Sequence, residues 1–571
     1  MKFKLIIFLG LFFAQSTFAF QIRDFQDHYI QMADETFNKE GAYNTVAFVE
    51  KYFRIVGNEG FNASIHHVAE KLEKAGFINE EKAGANDRLT YRIEKRELQR
   101  KTWEPVAASL KLGSGKELLN FKTNRNMIAI NSFSTKGEQE FEMVFVGDSK
   151  PAEFDDYDMK GKVVVGEGSA RVFFQEAVVK RGAAGVMVYS IPDFNQPSKH
   201  VNSISFSSIP LNEEKESFGV LLSTDAYDNL MNAIFEDQYQ IKLNLETRIY
   251  DSEELTIVAE LKGSKAPDER FVFSAHVQEP GANDNASGVG ALSEVAIASA
   301  KLLQQGKINP ERTITYLFGD EIVSTRRYVQ EDPERAKGIK WGMSLDMVGE
   351  DTEKTGGTFL IEKMPDPGAI WVRGVEKHSE WGGRPLTKDQ LKPHYFNDLV
   401  ISVFKNIGEQ KNWAVNFNPF EGGSDHVPFL QGNIPGLLLW HFTDQFYHTD
   451  GDRIDKVSKE TLHNVGTGAL AIALMLTEHK DNLANMVLLN TSTAATMRLQ
   501  KEMNLSKQNI ANGENKEEQL DILNTWIDYY QKTFNTVLDI NPKNAEAFKK
   551  NLEETQMALI TYANMLRGQI K

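Results

Sequence analysis

The sequence predicts an α/β fold for the central part of the chain. From about Leu255 to His479, short β-branched and aromatic runs alternate with helical segments, as they do in βαβ units. Polar residues that can bind metals stand at or just after the ends of several of these runs. Because open α/β sheets bind ligands outside the carboxyl ends of their strands, this pattern predicts a functional site at one edge of the sheet.

The first residues have the pattern of an export signal. A basic start is followed by the apolar run Leu5–Phe13, and Thr17-Phe18-Ala19 resembles a cleavage site. We therefore expect residues 1–19 to be a cleavable signal peptide and the protein to be secreted or periplasmic. An uncleaved membrane anchor is the alternative, but the run is short for a bilayer. The absence of cysteine excludes disulfides and a lipid anchor on an N-terminal cysteine.

The composition is that of a globular protein with more than one domain. Its 571 residues exceed the length at which a single core stops growing. An apolar share of 41% and a charged share of 25% are both ordinary. The formal net charge of -16 argues against nucleic-acid and anionic-membrane partners, because both bind to basic patches.

Behind the signal, local patterns divide the chain into four regions. These are a mainly helical part at 20–125, a β-rich segment at 126–250, the α/β core at 251–480 and a helical part at 481–571. In the last region, Glu517–Val537 and Asn544–Arg567 predict an amphipathic helical hairpin. We expect this hairpin to pack on the core or on a second subunit.

Candidate metal ligands are concentrated in the α/β core. They are His276, Asp284, Glu321, Asp346 and His448. Imidazole and carboxylate ligands suit zinc, the usual metal of hydrolysis. Five ligands are too many for one tetrahedral zinc that keeps a water, whereas two zincs ~3.5–4 Å apart that share a carboxylate would use all five. The helix predicted at Ser287–Leu303 would direct its positive end toward this site.

The motifs around these ligands resemble a known family. They are Phe273–His276, Gly281–Gly288, Gly319–Glu321, Leu345–Gly349 and Tyr447–Thr449. From about Tyr52 to Leu476 the chain is similar to the secreted cocatalytic-zinc exopeptidases, which include bacterial leucyl-type aminopeptidases and glutamate carboxypeptidase. The resemblance implies a mixed-sheet core with helices on both faces. It assigns His276 and Asp346 to one zinc. It assigns Glu321 and His448 to the other, with Asp284 as the bridge.

The same resemblance suggests roles for residues around the metals. Asp320 stands where the family keeps its general base, which is usually Glu. Tyr447, Asp425 and His426 fall in motifs that line the site, and Tyr447 or His426 would help to hold an oxyanion. The family usually has an acid where this chain has a glutamine at position 278, and Glu279 is next to it. The segment after Glu321 also differs from the family's usual Gly-Ser version.

Three further segments have predicted roles. Residues 126–250 are similar to the protease-associated domain, a β-rich lid that would gate the substrate, and any small α/β insert is the alternative. Thr358–Pro367 is expected to be a loop over the site. Similar C-terminal helices mediate dimers in the carboxypeptidase branch, so residues 481–571 are a candidate homodimer contact.

We therefore expect a two-zinc exopeptidase that hydrolyses peptides through a metal-bridging water, with aminopeptidase favoured over carboxypeptidase activity. Arg326 and Arg327 could grip a carboxylate, so the recognised end of the peptide stays open. One alternative is a glutaminyl-cyclase-like acyltransferase, suggested by Asp425–Phe429, which would bind one zinc. Another is a metal-binding scaffold with impaired catalysis, suggested by the short base Asp320.

Overall fold

Two β-sheets organise the protein. The computed structural model describes residues 21–148, 150–374 and 376–570, and the predicted signal peptide lies outside them. The strands are β1 (Ile78–Asn79), β2 (Leu89–Glu97), β3 (Thr102–Leu112), β4 (Glu117–Asn120), β5 (Gln139–Gly147), β6 (Val163–Glu167), β7 (Gly185–Tyr189), β8 (Phe218–Leu222), β9 (Gln240–Tyr250), β10 (Glu253–Leu261), β11 (Ala266–His276), β12 (Arg312–Gly319), β13 (Ile339–Leu345), β14 (Thr358–Glu362), β15 (Asn416–Asn418) and β16 (Gly436–Phe442).

The first sheet is mixed and has a parallel centre. Within the described residues its strand order is β1-β2-β10-β12-β11-β13-β16-β14-β15. The four strands β12, β11, β13 and β16 run parallel, whereas β10 and β14 pair antiparallel with their central neighbours. Parallel strands end at the same edge of a sheet, so the residues that follow these four strands are brought together.

Helices cover both faces of this sheet, as predicted. In chain order the helices are α1 (21–36), α2 (Lys39–Val49), α3 (Glu59–Lys74), α4 (Ala170–Phe173), α5 (Thr224–Phe235), α6 (Ala286–Gln304), α7 (Val323–Gln330), α8 (Pro333–Gly338), α9 (Thr352–Thr355), α10 (Phe396–Lys411), α11 (His426–Gln431), α12 (Lys459–Glu478), α13 (Leu483–Ala511), α14 (Lys516–Thr536) and α15 (Ala545–Ile570).

The side chains of successive residues on β11 lie on opposite faces of the first sheet. Phe271 and Phe273 belong to the large core that includes α6 and α12. Val272 packs on the other side with residues of α7 and α11. In the described part of the chain, α6 alone is long and apolar enough to cross a bilayer, but 83% of its most apolar window is buried inside the protein. It is a core helix, and the α/β fold class is confirmed.

The second sheet has a separate apolar core. Its strand order in the described residues is β4-β3-β9-β5-β6-β7-β8, with β5 to β8 parallel and β3 and β9 antiparallel to their neighbours. The buried side chains of this core come mainly from residues 103–245. Its likeness to a protease-associated domain stays a prediction.

The C-terminal region is helical from α13 to α15, and α13 packs against α10, α14 and α15. A stripe of aromatic side chains on α14 is buried: Trp526, Tyr529, Tyr530 and Phe534. Arg312 of β12 donates a hydrogen bond of 2.7 Å to the Ile540 carbonyl after α14. This region is therefore fixed to the central sheet.

One local expectation is incomplete and another is wrong. Helices α1, α2 and α3 form the first half of the predicted mainly helical part, but strands β2, β3 and β4 follow them, and β3 pairs with β9. That partner follows more than a hundred residues later, so local pattern does not reveal the pairing. The segment Thr358–Pro367 is not a loop from its start, because Thr358–Glu362 is strand β14 of the first sheet.

Candidate metal centre

The predicted ligands meet at the carboxyl edge of the parallel strands. His276 is the last residue of β11, Asp320 and Glu321 follow β12, Asp346 follows β13, and His448 lies in the loop after β16. Asp284 lies in the loop between β11 and α6, which begins at Ala286. The topology of the sheet thus brings together side chains that are far apart in sequence.

The first ligand group contains His276, Glu321 and Asp346, whose donor atoms lie within 4.8 Å of one another. Nε2 of His276 is 3.3 Å from Oδ2 of Asp346 and 4.0 Å from Oε1 of Glu321. In the described part of the chain, His276 Nε2 and Asp346 Oδ1 are buried without a hydrogen-bond partner. Buried polar atoms are normally satisfied, so these two fit a bound cation.

The second group contains Glu279, Asp284 and His448. Nε2 of His448 is 3.1 Å from Oδ2 of Asp284 and 3.4 Å from Oε2 of Glu279. The other oxygen of Asp284, Oδ1, is 3.6 Å from Nε2 of His276. Asp284 therefore touches both groups, as a bridging ligand would.

The arrangement differs from the expected pairing at Glu321. The resemblance pairs Glu321 with His448, but the structure groups its carboxylate with His276. Glu279, expected only near the metals, lies beside His448 instead. With Glu279 the site offers six donors of the imidazole and carboxylate type, a set that fits zinc.

The charge balance of the site favours a cation. Burial by itself lowers the pKa of His276, but the carboxylates of Asp346 and Glu321 outweigh it and raise that pKa well above its ordinary value. Several carboxylates thus face two imidazoles in a buried space. A divalent ion is the species that would neutralise this excess negative charge.

Two residues outside the predicted set hold the loop that carries Asp284. Asp452 accepts hydrogen bonds from the backbone N–H groups of Asn283 and Asp284, at 2.9 and 3.0 Å. The buried Arg54 guanidinium donates to the carbonyls of Val277 and Gly281, each at 2.7 Å. Asp452 is four residues after the predicted ligand His448, a closeness in sequence that could have indicated this role, whereas Arg54 is far in sequence from every ligand.

Gln278 stands where the family usually has an acid, and its side-chain amide makes two contacts with Glu321. Its Oε1 accepts a hydrogen bond from the Glu321 backbone N–H at 2.9 Å, and its Nε2 donates to Oε2 of Glu321 at 3.4 Å. The amide therefore orients Glu321 from two sides. An aspartate could accept from the N–H but could not donate to the carboxylate.

Asp320, the predicted base, is half-buried beside the first ligand group. Burial raises the pKa of Asp320 to about 7, and the nearby carboxylates of Glu254 and Asp425 add to the shift. Its backbone N–H donates to Oγ of Ser324 at 2.8 Å. Ser324 Oγ also lies 2.9 Å from Oγ1 of Thr256 on β10, so the base is anchored to the sheet.

The two candidates for holding an oxyanion lie in different surroundings. The Tyr447 ring stacks on His448 with centroids 3.8 Å apart. Burial raises the pKa of Tyr447 well above its usual value, and Asp284 and Glu279 raise it further. His426 is fully buried, and its Nε2 lies 2.9 Å from Oε1 of Glu362. Of the two, Tyr447 is the residue in contact with a ligand group.

The neighbouring loop supports Asp346. Ser424, two residues before His426, donates a hydrogen bond of 2.8 Å from Oγ to Oδ2 of Asp346. Asp425 accepts a hydrogen bond from the backbone N–H of Ile322, just after Glu321. The segment 424–426 therefore positions ligands of the first group.

The sequence is similar to those of known aminopeptidases. Aminopeptidase YwaD of Bacillus subtilis (strain 168) is 23% identical over 326 residues, which cover 54% of this chain and 61% of that protein. The chain thus spans about three fifths of the length of this relative. The "Probable lipoprotein aminopeptidase LpqL" of Mycobacterium tuberculosis is 22% identical over 74% of this chain and 80% of its own length.

A solved structure shares the fold. BSAP, a zinc aminopeptidase from Bacillus subtilis, aligns with a TM-score of 0.53 at 18% identity, covering 76% of this chain and 94% of that one. Residues 256–473 match the sequence model of Peptidase family M28 and contain all the ligand residues described above. Over this segment the chain is similar to Peptidase family M28.

Proposed function

We propose that the protein is a two-zinc aminopeptidase. The observation that carries the proposal is the pair of histidine–carboxylate groups joined through Asp284. The five predicted ligands, none of them a cysteine, suit two zinc ions better than one, and the Glu279 carboxylate is left for another role. The aminopeptidases YwaD and BSAP, which resemble this chain in sequence and in fold respectively, support the same interpretation.

The chain's own residues supply the proton transfers. Zinc held by the two ligand groups would polarise the scissile carbonyl and make a bound water more acidic. Asp320 accepts the proton of the attacking water and passes it to the leaving amine. The Tyr447 hydroxyl donates a hydrogen bond to the oxyanion that develops on the carbonyl oxygen.

The charges around the site favour recognition of a free amine. Glu279 offers a half-buried carboxylate beside His448, which suits the α-ammonium group of a peptide. Arg327, a candidate for gripping a carboxylate, is paired with the buried Glu254. Arg326 is exposed on α7. We therefore assign neither arginine to binding of a substrate carboxylate.

Metal analysis and a matched pair of substrates test this function. We expect about two equivalents of zinc per chain, cleavage of aminoacyl anilides that a chelator abolishes, and no cleavage of N-blocked dipeptides. Cleavage of the blocked dipeptides alone would indicate a carboxypeptidase. One equivalent of zinc with cyclisation of glutaminyl peptides would indicate the acyltransferase, and bound metal without turnover would indicate a scaffold.

We also propose that the enzyme is exported and self-associates. The predicted signal at 1–19 supports export, as does the resemblance to a probable lipoprotein aminopeptidase. Exposed apolar side chains on α13 and α15, Met497, Met557, Ile560 and Met565, support a contact between two copies. N-terminal sequencing of periplasmic protein should begin after Ala19, and light scattering should give the mass of a dimer.

A further inference from the structure

A cavity of about 600 Å³ lies between helix α10 and the C-terminal helices α13 and α14. In the described part of the chain, no residue of either metal-ligand group lines it. One wall begins at Lys363, which follows the end of β14, and that end pairs with Leu438 near the start of β16. The ligand His448 follows the opposite end of β16, so the cavity is separate from the metal centre.

Part of the wall lies outside the segment that matches Peptidase family M28. That match ends at residue 473, before α13 begins at Leu483. Asn490, Arg498 and Lys501 of α13 and Tyr530 of α14 all line the cavity. The cavity is therefore built by the C-terminal region together with the core, and its ligand has to be inferred from its own side chains.

Buried ion pairs fix one side of the cavity. Nζ of the buried Lys363 is 2.6 Å from Oδ2 of Asp366 and 2.9 Å from Oε2 of Glu376. Arg498 pairs with the other oxygen of Glu376, and Nζ of Lys501 lies 3.5 Å from that same oxygen. Glu376 is thus shared among three cations, so the ammonium of Lys501 keeps charge that a ligand can use.

Two charged side chains of α10 that line the cavity, Asp398 and Lys405, have no ion-pair partner among the described residues. The Asp398 carboxylate is 3.4 Å from the Tyr530 hydroxyl, and burial raises the pKa of its carboxyl to about 7. The Lys405 ammonium lies 4.9 Å from the centre of the Phe417 ring. Partial burial lowers the pKa of Lys405, and the nearby charge of Lys501 lowers it further. Each group would therefore gain from an opposite charge in the cavity.

The spacing of these two groups suits a ligand with a charge at each end. Asp398 and Lys405 are about two turns apart on one face of α10, roughly 10 Å along its axis. An extended dipeptide spans at most ~7 Å, and a hydrogen bond at each end adds about 3 Å, so it can reach both. A free amino acid is shorter by one residue and fits this spacing less well.

Asn490 supplies a third group for such a ligand. Its side chain is 6% exposed and lines the cavity. Its Nδ2 is buried and has no hydrogen-bond partner within the part of the chain that the structure describes. Buried donors are normally satisfied, so this one indicates an acceptor in the cavity. The carbonyl oxygen of a peptide bond is an acceptor of that kind.

We propose that this cavity binds a short zwitterionic peptide of dipeptide length, with its ammonium at Asp398, its carboxylate at Lys405 and Lys501, and its carbonyl at Asn490. The site goes beyond the proposed function, because no zinc ligand and no catalytic residue takes part in it. At ~30 Å³ per water-sized group the cavity holds roughly 20 such groups, enough for the heavy atoms of leucyl-leucine.

Calorimetric titration of the zinc-loaded Asp320→Asn protein with leucyl-leucine tests the site. Loss of the base slows hydrolysis, and chromatography of the mixture verifies that the dipeptide stays intact. We expect two dipeptides per chain, one at the metal centre and one in the cavity. Adding Asp398→Asn or Lys405→Met should remove the second site or weaken it at least 10-fold, because a buried charge pair is lost. Lys507→Met, at an exposed lysine of α13 outside the wall, is the matched control and should keep both sites.

Leucyl-leucinamide, which lacks the carboxylate, should lose only the cavity site. Equal stoichiometry and affinity for leucyl-leucine in the parent and in both cavity variants would overturn the peptide site and leave the aminopeptidase function intact. One dipeptide per parent chain and none in the cavity variants would support the site and contradict peptide binding at the metal centre, on which the proposed function depends. Zinc content and a thermal unfolding midpoint equal to those of the parent show that each variant is folded.

Discussion

The backbone N–H of Ile322 donates a hydrogen bond to Oδ1 of Asp425, with nitrogen and oxygen 2.5 Å apart. Ile322 has φ 61°, a left-handed conformation that a β-branched residue rarely adopts. Such a conformation costs ~1–3 kcal/mol and persists only where its surroundings enforce it. Because Ile322 directly follows Asp320 and Glu321, the Asp425 carboxylate fixes the turn that aims both of them.

Removal of the Asp425 carboxylate should therefore misplace the base. We expect Asp425→Ala to lower kcat ~10–100-fold, since a shift of about 1 Å in a catalytic group can cost ~100-fold. Asp425→Asn keeps an oxygen at the same position and should retain most of the activity. The check is kcat at saturating leucyl anilide with zinc content measured in parallel. Equal kcat values for the Ala variant and the wild type would contradict this role.

The second prediction concerns the role of Asp320 as the general base. Asp320→Asn should lower kcat by ~100-fold or more with zinc content unchanged, since a general base contributes about 10²–10⁴. Asp320→Glu should also be slower than wild type. The backbone of Asp320 is tied to Ser324 at 2.8 Å, so the site is built around the shorter side chain.

A faster Asp320→Glu variant would mean that the turn has not adapted to aspartate. Full activity in Asp320→Asn would mean that another group takes the proton. Glu279 and Asp425 are then the first carboxylates to test, because both lie near the ligand groups.

The site's position could be predicted from sequence because each central strand is a nearly continuous apolar run. Phe271–Ala275 and Thr313–Phe318 are buried on both faces, and polar ligands begin where the runs end. The edge at which the ligands meet then follows from the parallel topology. Both features are local, so the position of the site can be predicted without knowledge of contacts between distant residues.

The position of Glu279 could not be predicted in this way. Its backbone has φ 78° and its N–H donates to the Arg54 carbonyl at 3.0 Å, a contact between distant parts of the chain. This turn brings its carboxylate beside His448. No local pattern encodes such a bend at a glutamate, since left-handed turns are usually signalled by glycine or asparagine.

Strand β14 is a second feature that local sequence pattern does not predict. Pro365 and Pro367 indicate a loop, and the chain does leave the strand after Glu362. Glu362 itself is completely buried and accepts backbone hydrogen bonds from Glu421 and Gly422, at 3.0 and 2.8 Å. A buried glutamate is unexpected from composition, and these two donors together with His426, all distant in sequence, explain it.

The bridging position of Asp284 predicts unequal effects on metal content. Asp284 touches both ligand groups, whereas His448 belongs to one. We expect His448→Ala to retain about one equivalent of zinc and Asp284→Ala to retain less than one. Metal analysis after gel filtration measures this, with Tyr447→Phe as a control that should retain two. Two equivalents in Asp284→Ala would show that it does not bridge.

Away from the site, Glu294 of α6 predicts a pH-dependent stability. It is 4% exposed, and burial raises the pKa of its carboxyl from 4.5 to about 7, despite the nearby charge of Lys71. Below pH 4.5 the group is protonated in both folded and unfolded states, so it carries no penalty. As pH rises from 4.5 to 7 the unfolded chain ionises first, and the penalty reaches its full value, roughly 3 kcal/mol at most, above pH 7.

Glu294→Gln removes that ionisation while keeping an oxygen that can accept a hydrogen bond. We expect it to raise the free energy of unfolding by ~1–3 kcal/mol at pH 8 and to change it little at pH 4.5. Urea unfolding at the two pH values measures the difference. Glu553→Gln, an exposed glutamate on α15, is the matched control and should show no such dependence. A gain that is equal at both pH values would mean that packing, and not the buried charge, sets the stability at this position.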